Sequence, residues 1–158
     1  MLAATFDEFE SVLQRESHTF RRALTDPHLF SGIGNAHSDE ILDRARPSPP
    51  ALARKLERDE AERFFAATRE VLIGWTNRPR AEAGDGFPEK VAAFRPGMPV
   101  HGRLGGPSPV CGTPSQRFRY AEKKTNYCPR CQTEGRILAD RSLSRLLQAD
   151  WTRHLEEL

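Results

Sequence analysis

Phe6, Phe9, Val12 and Leu13 recur three and four residues apart, the spacing that stacks apolar side chains on one face of a helix. Thr5-Phe6-Asp7-Glu8 precedes them as a capping box, in which a threonine and a glutamate three residues on satisfy two free amides. An amphipathic helix to about Arg15 is predicted. A second covers Thr19 to Leu24, and Thr25-Asp26-Pro27 breaks it with a cap residue and a proline. Phe30-Ser31-Gly32-Ile33-Gly34-Asn35 then leads into a helical stretch from Ala36 to about Ala45. Two glycines around one apolar residue let the backbone turn tightly, and Asn35 is placed to cap the helix or to meet a ligand. Pro47, Pro49 and Pro50 close that helix, with Ser48 as a cap for the next. Ala61, Phe64, Phe65, Thr68, Val71, Leu72 and Trp75 keep a helical period that reads as core.

From Asn77 to Pro109 the pattern disappears into prolines and glycines, predicting an irregular connection of some thirty residues and a domain boundary within it. Beyond it, Arg117-Phe118-Arg119-Tyr120 and Thr125-Asn126-Tyr127 read as strands of a hairpin around residues 121–124. A short helix near Leu143, Leu146 and Leu147, with Trp151 beyond, is expected to pack back on the body. The fold class is mainly α, a helical bundle followed by a small β-hairpin. No apolar run is long enough to span a bilayer and no leader pattern opens the chain, so a soluble cytoplasmic protein is expected.

Charge changes the picture locally. The formal net charge is +2, but residues 95–136 carry eight basic side chains against Glu122 and Glu134, a local +6. A basic block of this kind suits phosphate neutralisation. Arg117 and Arg119, alternating with Phe118 and Tyr120, place two cations on one face of a strand and two aromatics on the other.

All three cysteines fall inside CGTPSQRFRYAEKKTNYCPRC, residues 111–131. Clustering favours a metal knuckle over disulfides. Cys111, Cys128 and Cys131 have the spacing of the last three ligands in C-x2-C-x16-C-x2-C, a zinc pattern whose first position falls on Ser108. A serine hydroxyl is a hard, reluctant ligand beside thiolates. Zinc held by three thiolates is expected, weaker than a four-thiolate site, with water, His101 or Ser108 completing the tetrahedron. With no positioned general base, metal-assisted hydrolysis is disfavoured.

LTDPHLFSGIGNAHSDEILDRARPSP, residues 24–49, resembles the helix-two-turn-helix signature of the formamidopyrimidine-DNA glycosylase and endonuclease VIII family, and residues 108–132 resemble that family's C-terminal zinc finger. The resemblance implies a helix-two-turn-helix DNA-binding domain over 1–95 and a zinc-finger domain with a C-terminal helix over 96–158. Family members excise oxidised bases and cleave the abasic strand with an N-terminal proline assisted by a glutamate. Neither residue is matched, the β-rich catalytic domain is expected to be absent, and no catalytic residue is assigned. The resemblance implies that Asn35 contacts a phosphate beside the lesion, with Gly32 and Gly34 bringing backbone amides close. Lys123 and Lys124 stand where the family's hairpin presents an arginine. The partner implied is duplex DNA with a damaged or abasic site, in a cytoplasmic, nucleoid-associated protein of base-excision repair. A separately encoded N-terminal domain completing an active glycosylase, and a zinc-stabilised interaction module without DNA binding, are the alternatives. Without its partner domain the bundle is expected to expose Phe30 and Ile33.

Overall fold

The computed structural model describes residues 2–86, 97–120 and 123–157. Helix α1 spans Phe6–Arg15, and its capping box is formed: the Thr5 amide donates to the Glu8 carboxylate (2.8 Å) and the Glu8 amide to the Thr5 hydroxyl (3.3 Å). Helix α2, Phe20–Thr25, is capped by Thr19. Helix α3 spans Asn35–Ala45, with Gly34 as its N-cap. Asn35 therefore does not cap; it is the first helical residue and its side chain is turned elsewhere. The α3 helix ends in a left-handed Arg46 (φ 66°) whose amide returns to the Leu42 carbonyl, so backbone closure comes before the prolines act. Nor does Ser48 cap the next helix. Its carbonyl accepts from Ala51 in a turn, and helix α4, Arg58–Ala83, starts from a Glu57/Glu60 capping box.

The long α4 helix corrects the expected break at Asn77. It runs through Pro79 to Gly84, whose φ of 55° ends it. Proline removes one backbone bond, but Arg78, Arg80, Ala81, Glu82 and Ala83 are all strong helix formers around it, and Arg78 lies over the Trp75 ring at 4.6 Å. The proposed boundary between residues 95 and 96 involves residues outside those described. Residues 97–101 are no free linker either. Met98 and Val100 are buried, and the Val100 and His101 amides donate to the Glu40 carboxylate on α3 at 3.1 and 2.8 Å.

One apolar core joins α1 to α4. Phe9 is its centre, with ring centroids 5.1 Å from Phe30, 5.6 Å from Phe64 and 5.2 Å from Phe65. Phe30 and Ile33 are 5% and 6% exposed, which overturns the expectation of a bare apolar face: the loop before α3 folds its apolar side chains inward under α1 while Gly32 and Gly34 stay outside.

Strands β1 (Gln116–Tyr120) and β2 (Lys123–Tyr127) form an antiparallel hairpin in which Arg117 opposes Asn126, Phe118 opposes Thr125 and Arg119 opposes Lys124. Helix α5 (Pro129–Thr133) follows directly. Phe118 meets Tyr127 edge-on at 5.8 Å, and the buried Tyr127 hydroxyl accepts from the Leu138 amide at 2.7 Å; burial pushes that phenol up to about 12. Tyr120, on the same face, is 64% exposed, so the aromatic pair is Phe118 with Tyr127, not with Tyr120. Helix α6 (Arg141–Leu147) packs against β1 as expected, but not through Leu146 and Leu147, which are exposed. The chain also returns through backbone bonds from Ile137 to Arg153 and from Leu155 to Gly135.

The α3 helix buries an unusual amount of polarity: Ser38, Asp39, Glu40 and Asp43 are all under 9% exposed. Burial pushes the Asp43 carboxyl up to about 6 against the opposing pull of Arg46. A carboxyl that holds its proton more tightly folded than unfolded favours folding at acid pH, and that contribution fades as pH rises from about 4 to about 6. Asp43→Asn is therefore expected to exceed the wild type in stability at pH 7 by up to about 3 kcal/mol, with the gap closing by pH 4. Urea melts at pH 4, 5 and 7 measure it. A gap that does not change with pH would rule this origin out.

Candidate nucleic-acid interface and metal centre

Arg21 organises the junction between bundle and hairpin. It projects from α2 and is 7% exposed. One terminal nitrogen pairs with the fully buried Asp39 carboxylate and reaches the Ser38 hydroxyl at 3.2 Å. The other donates to the Asn35 side-chain oxygen (3.2 Å) and to the Lys124 carbonyl (2.7 Å). The second Asp39 oxygen accepts from His101 Nδ1 (2.8 Å), the Asn126 amide (3.2 Å) and Asn126 Nδ2 (3.1 Å). A buried charge pair is tolerable only when most of its remaining donors and acceptors are satisfied; three elements supply partners here, and Arg21 Nε and Asn126 Oδ1 are the hub atoms that find none among the described residues. One guanidinium thus ties the start of α3 to β2.

Around this hub the anticipated residues converge. Asn35, Gly32 and Gly34 are exposed on the turn into α3, and Gly32 adopts φ 86°, a left-handed conformation that favours glycine. No acidic side chain occupies the first turn of α3, so the partial positive charge of its amides is not neutralised locally. Lys124 adjoins Asn35 through their common contact with Arg21. Along the hairpin, Arg117, Arg119, Lys124 and Asn126 share one face by register; Asn126 is buried in the hub and the three cations on that face are exposed. Arg119 stands directly opposite Lys124 in the register, and the Asp140 carboxylate accepts from the Arg119 amide at 2.9 Å. Lys123 is exposed but pairs with Tyr120 on the opposite face, so the two lysines do not act side by side. Residues 121 and 122, the tip between them, lie outside the described residues.

The metal centre closes the other end of the hairpin. Cys111 Sγ lies 3.5 Å from Cys128 Sγ and 3.5 Å from Cys131 Sγ, and all three sulfurs fall within 4.8 Å of one another. Sulfurs at the corners of a tetrahedron around zinc, each about 2.3 Å from the ion, stand about 3.8 Å apart, so the donor set fits. The thiols interact as a unit. Burial opposes ionisation of Cys111, but bonds from the Thr113 side chain and amide, from Ser108 and from Cys131 outweigh it and bring the thiol down to about 6. Cys131 is pushed up to about 12 by burial and by its two sulfur neighbours. A divalent cation removes that conflict by stabilising all three thiolates together. The Cys128 amide donates to Gln132 Oε1 (2.8 Å), and Gln132 Nε2 to the Pro47 carbonyl (3.3 Å), which fastens the knuckle to the bundle. His101 is not in the sulfur cluster: its Nδ1 is engaged by Asp39.

Sequence reasoning assembled the cysteines, the glycine turn and the hairpin cations, but missed Arg21, Asp39, Glu40 and Asn126. The signal for the three charged ones was charge out of pattern: Arg21 stands between Phe20 and Ala23-Leu24, and Asp39-Glu40 immediately precede Ile41-Leu42; Asn126 carried no such signal.

Residues 2–74 match the formamidopyrimidine-DNA glycosylase H2TH domain and residues 109–133 the zinc finger found in FPG and IleRS. An uncharacterized formamidopyrimidine-DNA glycosylase-like protein of Mycobacterium tuberculosis is 38% identical over 147 residues, 93% of this chain and 91% of its own length. The crystal structure of the MutM (Fpg) protein from Thermus thermophilus superposes with a TM-score of 0.66 at 34% identity, covering 81% of this chain and 50% of that one. Fpg of Lactococcus lactis, non-covalently bound to DNA containing an AP site, superposes with a TM-score of 0.66 at 25% identity, covering 81% and 47%. The chain thus spans about half the length of these two glycosylases, and nearly all of the mycobacterial protein. Among the described residues no helix is long and apolar enough to cross a membrane.

Proposed function

This chain belongs to the formamidopyrimidine-DNA glycosylase family, and from that premise we propose that it grips duplex DNA at damaged or abasic sites in base-excision repair. It works as two units, the helix-two-turn-helix domain over 1–95 and the zinc finger over 96–158. The observation that carries this reading is the Arg21 bridge, which sets the exposed Asn35 beside Lys124 at an α3 N-terminus free of acidic side chains. Phosphate binding needs amide donors, a polar side chain and nearby cations on one exposed surface, and these residues supply all three. DNA bound by the Lactococcus lactis neighbour supports the same ligand class.

In this reading Gly32, Gly34 and Asn35 hold the backbone beside the lesion while Arg117, Arg119, Lys123 and Lys124 neutralise further phosphates. Zinc on Cys111, Cys128 and Cys131 fixes the hairpin that presents them; its chemistry here is structural. No catalytic residue is assigned in the chain. Base excision and strand cleavage belong to an assembly with the catalytic half of the family, and the setting is the cytoplasmic nucleoid.

Fluorescence anisotropy with a duplex carrying a stable abasic analogue, against an intact duplex, at two salt concentrations, tests the proposal. Binding is expected to weaken steeply with salt and to favour the abasic duplex. Asn35→Ala is expected to weaken it roughly tenfold, and Lys123→Ala with Lys124→Ala to lower the salt slope by about one to two. Affinity insensitive to salt and to all three substitutions would overturn the assignment in favour of an interaction module that does not bind DNA.

A further inference from the structure

We infer that the zinc held by Cys111, Cys128 and Cys131 keeps a fourth coordination position facing solvent, which a small exogenous thiolate can occupy. The inference deepens the metal centre and does not depend on the DNA reading. Among the described residues only the three cysteines form a cluster of potential metal ligands. The fourth corner of the pattern falls on Ser108, and Ser108 is committed to its own turn. Its amide donates to the Thr113 carbonyl and its carbonyl accepts from Gly112, each at 2.9 Å. Its hydroxyl accepts from the Val110 amide at 3.3 Å and bonds to the Cys111 thiol. A hydroxyl held in this way stays neutral and hard, and it orients a ligating sulfur better than it coordinates zinc. His101, the other protein candidate, is held by Asp39.

Exposure points the same way. Cys128 and Ser108 are both buried, whereas Cys111 lies at the surface and Cys131 is partly exposed, so an added ligand reaches the cluster from the Cys111–Cys131 side. Zinc with three thiolates carries a net charge of −1 and accommodates a fourth thiolate, as four-cysteine sites show. Arg130, exposed between Cys128 and Cys131, offsets part of the added charge. Softness favours sulfur over oxygen at such a position. In the binding step the thiol releases its proton to solvent, its sulfur donates a lone pair to the metal, and the water held there leaves; no oxidant or reductant takes part.

Cobalt(II) substituted into the full chain and titrated with 2-mercaptoethanol provides the test, read by absorption, with retained metal measured after desalting. In the wild type and in Ser108→Ala, the thiolate-to-cobalt charge-transfer band is expected to rise by about one-third, the step from three thiolates to four. Ser108→Cys is expected to show that higher intensity at the outset, with no response to added thiol. A silent wild type with a responsive Ser108→Ala would make Ser108 the fourth ligand and overturn the inference. Silence in both, or loss of the cobalt bands on adding thiol, would overturn it as well.

Discussion

Replacing Asp39 by alanine is expected to lower the stability of the protein by about 3–5 kcal/mol, because it strips the partner from a buried cation and leaves it uncompensated. Arg21 is 7% exposed, and the Asn126 amide and side chain and His101 Nδ1 lose their acceptor at the same stroke. Arg21→Ala is expected to cost a similar amount, since it leaves the fully buried carboxylate without its charged partner. The double substitution should cost clearly less than the sum, the signature of two groups that act as one. Urea denaturation of the four proteins completes the cycle. Additive losses, or a single loss below about 1 kcal/mol, would show that the two residues do not depend on one another. Arg21→Lys is no rescue in this scheme. An ammonium lacks the fork that reaches Asp39 and Ser38 with one nitrogen and Asn35 and Lys124 with the other.

Removal of zinc is the second large effect. Structural zinc contributes on the order of 10 kcal/mol to small metal-held folds, and β1, β2 and α5 have only Phe118, Tyr127 and a few neighbours to bury without it. Treatment with a strong chelator, or Cys128→Ala, is expected to abolish protection of the β1–β2 amides from hydrogen exchange. The Phe9-centred core lies wholly between α1 and α4, so most of the helical circular dichroism should persist. Duplex affinity should fall at least as far as in the lysine double variant. Hairpin amides that stay protected after complete metal removal would contradict the fit of the three sulfurs to a structural ion.

Local features of this protein could be read from its sequence and distant ones could not, for a physical reason. The α1 cap, the α2 start at Thr19, the turn into α3 and the hairpin all depend on residues within about four positions of one another, where periodicity and capping act. The cysteine spacing belongs to the same class, since ligand geometry is imposed over a short loop. The Asp39 hub does not: its contacts reach His101 and Asn126, 62 and 87 residues away. Nothing near Asp39 announces them. Pro79 misled because a proline's local cost was weighed without the helix formers around it, and Phe30 because its cover comes from Phe9, in helix α1 and far away in sequence. Met98 and Val100 were hidden by the glycines and prolines beside them.

The bundle recognises β2 in large part through its main chain: Arg21 reads the Lys124 carbonyl, and Asp39 reads the Asn126 amide. A contact made to backbone is indifferent to which side chain the residue carries. The outward positions of the hairpin are therefore free to drift in sequence without loosening its attachment, whereas an insertion of one residue in β2 would move every recognised group out of register. Descendants of this chain could acquire new surface chemistry at positions 117, 119, 123 and 124 by single substitutions, with the docking geometry inherited intact.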